Sequence, residues 1–211
     1  MENDAKMIFR GHSSDKYELK ASIGRSKYYS TELELKLFLE FKKRYRSFTR
    51  ERPETDLELL FMAQHYGIPT RLVDWTYNPL IALYFASEVN GDNDGKIYSI
   101  KLHKSYMVEQ LEDTSLSINS LLNVEGCKYI VPHYTDSRYS NQKSVFLLSD
   151  KPDKQFLFAD REIVYIVKNE TKKRIRQELA LLGIDKSFVF PTLDNLCQDI
   201  KEMFKDELKP R

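Results

Sequence analysis

The stretch AQHYGIPTRLVDWTYNPLIALYFA, residues 63–86, sets His65, Arg71 and Asp74 in an otherwise apolar run. A packed core gains nothing from that set, because each buried polar group needs a partner. A carboxylate can orient a hydroxyl or take its proton. A guanidinium presents parallel N–H groups that match phosphate or carboxylate. Each residue also has a structural reading. Asp74 can be a strand-end carboxylate that caps a turn or pairs with an arginine. Arg71 can be one half of a buried ion pair that fixes the GIPTR turn. His65 falls in the last turn of a helix, where a histidine is locally favourable.

The surrounding elements decide which of these groups can meet. Thr55 and Glu58 have the spacing of a capping box, and Gly67 fits the left-handed position that ends a helix, so DLELLFMAQHY reads as helix. After Pro69, residues 71–76 read as a strand. Alternate strand residues share a face, so Asp74 and Thr76 point one way and Val73 and Trp75 the other. The apolar pair belongs to a core, which leaves the polar pair facing a cleft or water. Arg71 is out of phase with Asp74 and must bond something else. Asn78 as cap and Pro79 at the first helical position start a buried helix over PLIALYFASEV.

Further out, residues 7–11, MIFRG, read as a short strand. Arg10 lies within it, beside Gly11, and a glycine there permits close approach of a ligand or of another backbone. In TELELKLFLEFKKRYRSFTRER, Leu37, Phe38, Phe41, Tyr45 and Phe48 share one helical face. Lys42, Lys43, Arg46 and Arg50 point elsewhere, as a solvated face or as a track for nucleic-acid phosphates. Strands are expected at KIYSIKL and at EIVYIV (162–167). Helices are expected at ETKKRIRQELALLGI and at TLDNLCQDIKEMF, the latter with Leu193, Leu196, Ile200 and Met203 on one side. Residues 103–145 have no clean period. The class is α+β in one domain, residues 1–211, with no repeats.

The totals bound the remaining classes. The chain has 211 residues, 41% of them hydrophobic, and a formal net charge of +1. This excludes a disordered chain and leaves nucleic-acid binding open to a local patch. The two cysteines, Cys127 and Cys197, have no metal-ligand spacing, and no metal cluster or Gly-rich phosphate loop is written in the sequence. With no apolar signal region in MENDAKMIFRG and no run of membrane-spanning length, the expectation is a soluble cytoplasmic protein without membrane contact.

Taken together, FRGH (9–12), the block 63–86, RYSNQKSVF (138–146) and ELALLGIDKSFVFPTLDNL resemble the FRG domain family over nearly the whole chain. Small departures are His12 where Gln is commoner and the lack of a second Asp after Pro191. The layout is in turn similar to that of ADP-ribosyltransferases of the Arg-Ser-Glu type. That similarity implies small mixed or antiparallel sheets with flanking helices. It also implies NAD as a substrate with no metal, and an oxocarbenium-like transition state.

By this analogy Arg10-Gly11 is the first element, and Asp74-Trp75-Thr76 leading into NPLIALYFA is the second. Arg10, with Arg71, would serve the phosphates or a ribose. Asp74 and Thr76, with Gly11 and His65 nearby, would complete the cofactor site. The late-strand position falls to Gln142 through the FRG pattern, or to Glu162 in Asp160-Arg161-Glu162-Ile163-Val164. A glutamine can orient a hydroxyl but is no base near neutral pH, so with Gln142 in place the proton would pass to Asp74. The implied role is an intracellular toxin or antiphage effector that modifies RNA or protein, with an antitoxin as partner. Lys42, Lys43, Arg46 and Arg50 tilt the target toward RNA. A non-enzymatic binding module and an NAD glycohydrolase are the alternatives.

Overall fold

The computed structural model describes residues 6–102, 108–133, 137–156, 158, 162–205 and 207–208. Expectations that touch residues 103–107, Asp160 or Arg161 lie outside them. The strands are β1 (Lys6–His12), β2 (Leu72–Thr76), β3 (Gly95–Leu102), β4 (Val108–Gln110), β5 (Cys127–Ile130), β6 (Ser144–Ser149) and β7 (Glu162–Val167). They form one seven-stranded sheet in the order β4-β5-β6-β2-β1-β3-β7. Only β4 and β5 run parallel; the other neighbours are antiparallel. The protein is therefore α+β, built on one mixed sheet rather than several small ones.

The helices are α1 (Thr31–Arg44), α2 (Asp56–His65), α3 (Pro79–Ala86), α4 (Ile118–Leu122), α5 (Ser137–Gln142), α6 (Asn169–Leu181), α7 (Lys186–Val189) and α8 (Leu193–Met203). Strand alternation sorts the core into layers. Ile8, Val73, Trp75, Tyr98, Val145 and Leu147 pack together on one face. On the other face Leu72, Phe146 and Leu148 pack with Phe38 of α1, Leu57, Leu60 and Phe61 of α2, and Leu121 of α4. Farther along that face Phe9, Ile97 and Val167 meet Ala82 and Ala86 of α3. Asp74 and Thr76 share the face of Phe9 and Phe146, between these two clusters.

Local sequence explains how α2 and α3 are seated. The Leu80 N–H donates to Asn78 Oδ1 at 3.0 Å, with Pro79 behind the cap. The Glu58 N–H donates to Thr55 Oγ1 at 3.1 Å. The Glu58 carboxylate, however, accepts from the Glu54 N–H at 2.7 Å rather than from Thr55. Gly67, with φ of +89°, ends α2. Gly11 lets α3 lie directly on β1, since a Cβ there would stand 1.9 Å from the Ala82 carbonyl oxygen. Its small size thus serves another backbone, one of the two readings open from sequence.

One expected face does not extend as far as predicted. α1 stops at Arg44, and a tight turn over Tyr45–Ser47 carries Phe48 outward, where it is 86% exposed. The helix instead buries Glu34, on the same side as Phe38. α8 is also inverted relative to its amphipathic pattern. Its polar residues Gln198 and Asp199 bond Lys186 Nζ and the Ser187 N–H, while Leu193, Leu196, Ile200 and Met203 are exposed. Among the described residues no helix is long and apolar enough to cross a membrane.

Candidate active site

β1 and β3 are paired at seven positions and β2 and β6 at five, but β1 and β2 only at Phe9 and Thr76. Beyond that single pair the central strands diverge, and Arg10 occupies the opening. Its Nη1 donates to the backbone oxygen of Asp74, which the diverging β1 backbone no longer reaches. The same Nη1 stands 3.7 Å from Asp74 Oδ2. The Arg10 Nε–H donates to His12 Nε2 at 3.0 Å. No described residue accepts from Nη2, so one side of the guanidinium remains open. Burial pulls the Arg10 pKa below its ordinary value, and Asp74 opposes that pull.

His12 is the residue that aims Arg10. Burial and then the Arg10 charge push its pKa down to about 3, so the ring is neutral. Nε2 therefore accepts, and the proton sits on Nδ1. Nδ1 lies by the Tyr17 backbone but makes no full hydrogen bond.

Asp74 is held from two sides. Gln64 Nε2 donates to its Oδ1 at 2.7 Å, and Thr70 Oγ1 fixes Gln64 by donating to its Oε1. The carboxylate is 58% exposed, so its charge faces solvent and the cleft. Thr76 is turned inward instead. Its hydroxyl donates to the Gln142 carbonyl at 2.5 Å and accepts from the Asn78 N–H at 2.9 Å. Thr76 thus positions Gln142 and the start of α3 rather than offering its proton to a ligand.

Gln142 arrives from the unread region. α5 ends at this residue, and Lys143, at φ of +47°, turns the chain into β6 beside β2. The Gln142 Nε2 donates to the Val189 carbonyl at 2.8 Å. A carbonyl can only accept, which fixes the amide orientation and leaves Oε1, with no donor among the described residues, as the free acceptor. Arg138, one helical turn earlier on the same side of α5, lines the same space. It stands over the Phe190 ring at 4.9 Å. Its motif, Arg-x-x-x-Gln, was visible in RYSNQKSVF, but sequence reasoning took only the Gln from it.

Phe9, Arg10, Gly11, Asp74, Thr76, Gln142 and Arg138 line one cleft of about 140 Å³. Three residues expected there lie elsewhere. Arg71 is 1% exposed and fully engaged. Its backbone N–H, Nε and Nη2 donate to the Glu34 carboxylate at 2.9–3.2 Å, and Nη1 to the Leu122 and Ser149 carbonyls. It is the buried ion pair that fixes the turn, with each side-chain nitrogen engaged and the group shut away from the cleft. His65 faces a separate cavity with Glu51, Glu58, Tyr66 and Tyr139. Glu162 sits on β7 opposite Ile100, with β3 between it and β1. Lys42, Lys43, Arg46 and Arg50 are exposed as expected and line no part of the cleft, and Lys42 is paired with Asp56 at 2.6 Å.

No match is found among curated proteins or solved structures. The family model of the FRG domain matches residues 5–95, the stretch that supplies Arg10, His12, Gly11, Asp74 and Thr76.

Proposed function

We propose that the cleft between β1 and β2 binds NAD and that the protein transfers its ADP-ribose group to a macromolecule. The observation that supports this most is the strand divergence, which gathers Arg10, Asp74 and Gln142 from three separate segments around one small space. Arg10 offers an open cation, Asp74 a held carboxylate, and Gln142 an unpaired acceptor fit for a ribose hydroxyl. In the reaction the nicotinamide–ribose C–N bond breaks and its electron pair leaves with nicotinamide. The acceptor's lone pair then forms the bond to the ribose carbon, and its proton passes to Asp74 or to solvent. On this reading Asp74 and the Gln142 oxygen would stabilise the positive charge that develops on the ribose.

The choice of Gln142 over Glu162 follows from position, since β6 neighbours β2 and β7 does not. On this reading the protein is an intracellular toxin or antiphage effector with an antitoxin partner. The exposed cations on and after α1 favour RNA as the acceptor.

The test uses NAD labelled on its adenine ribose, incubated with separate pools of cellular RNA, DNA and protein. Transfer to one pool, lost in folded Arg10→Ala and Asp74→Ala variants, is the expected result. Free ADP-ribose without labelled macromolecule would make the enzyme a glycohydrolase. No NAD consumption with RNA still retained would make it a binding module.

A further inference from the structure

The 140 Å³ cleft has the liquid volume of about five waters, enough for one ring but not for a dinucleotide. A second cavity of about 320 Å³ shares Arg10 and Asp74 with it and is walled by Lys20, Ser22, Arg25 and Gln64. We infer that this second cavity is an anion subsite in which Lys20, Arg25 and the open Nη2 of Arg10 take a diphosphate group. As the diphosphate of NAD, the inference rests on the reading above. As a phosphate site, it stands without it.

Charge and fixity carry the inference. Three cations border the cavity against one carboxylate, and that carboxylate already faces Arg10 and accepts from Gln64. Lys20 and Arg25 have no ion-pair partner among the described residues. Arg25 also lies close enough to Arg10 and His12 to disfavour their charged forms. Unmatched like charges brought together raise the energy of the empty site, and a bound dianion relieves it.

The walls are set in advance. Arg25 Nη2 donates to the Glu18 carbonyl at 3.1 Å and the guanidinium stands over the Tyr17 ring. Ser22 Oγ donates to the Thr70 carbonyl at 3.1 Å and accepts from its N–H at 3.0 Å, tying this loop to the segment before β2. Arg10 and Arg25, each held by a backbone carbonyl, bind an anion with less entropy cost of ordering.

The probe is inorganic pyrophosphate, titrated by calorimetry into the wild-type protein, the Lys20→Ala/Arg25→Ala variant and a Lys173→Ala control, with thermal melts to confirm folding. Lys173 is an exposed cation on α6. The expected result is binding by wild type and control, weakened by about tenfold or more in the double variant. Equal binding by a folded double variant, or no binding by wild type, overturns the subsite. NAD kinetics separate the two claims. Pyrophosphate binding without NAD consumption keeps the subsite and removes the transferase. NAD consumption with an unchanged KM in the double variant does the reverse.

Discussion

The protein has two arginines beside carboxylates at the heart of its sheet, and they are opposites. Arg71 and Glu34 are both 1% exposed, and every side-chain nitrogen of Arg71 has an acceptor. Arg10 and Asp74 are 20% and 58% exposed, and one side of the Arg10 fork has none. The first pair is closed and holds α1 against the start of β2. The second is open and stands where the central strands part. Whether a donor nitrogen is left over, rather than charge or residue type, separates the structural pair from the candidate site pair.

Breaking the closed pair should have the largest effect on stability. Glu34→Ala leaves the Arg71 charge buried without its partner and is expected to cost about 3–5 kcal/mol in denaturant unfolding. A cost below about 1 kcal/mol, the range of a solvated surface pair, would mean that the pair is not buried as described.

The open pair can be probed through His12. A lowered histidine pKa means that the unfolded chain binds the proton more readily than the folded one. The His12 contribution is therefore fully present above pH 6.5 and is lost progressively as pH falls toward about 3. At pH 5 the loss is about 2 kcal/mol. His12→Gln keeps an acceptor for the Arg10 Nε–H and removes the titration. Urea unfolding of the two proteins at pH 7.5 and pH 5 should show a flatter pH dependence for the variant by about that amount. Parallel pH profiles would exclude a neutral, buried His12.

Much of this contrast was written in the block 63–86, because caps, prolines and strand alternation are local signals. They place Asp74 and Thr76 on one face and Trp75 in the core, and they put Arg71 out of phase with Asp74. The missing partner, Glu34, was legible in principle. It lies one turn before Phe38 on the apolar side of α1, and a carboxylate there demands a buried cation.

Residues 103–145 were opaque for physical reasons. α5 is six residues long and β5 four, too short for a period to show. β6 is buried at every position, so it has no alternation to read. Gln142 therefore entered through motif resemblance alone, and Arg138 was missed. The strand divergence is a register property of distant segments, which one sequence does not encode locally.

The most direct test of the contrast is an NMR titration of the arginine side-chain N–H signals with NAD, with Arg10 and Arg71 assigned through Arg10→Lys and Arg71→Lys. The Arg10 signals should shift with saturation, and those of Arg71 should stay fixed. Shifts at Arg71 with none at Arg10 would contradict the assignment of the open arginine as the one that meets the ligand.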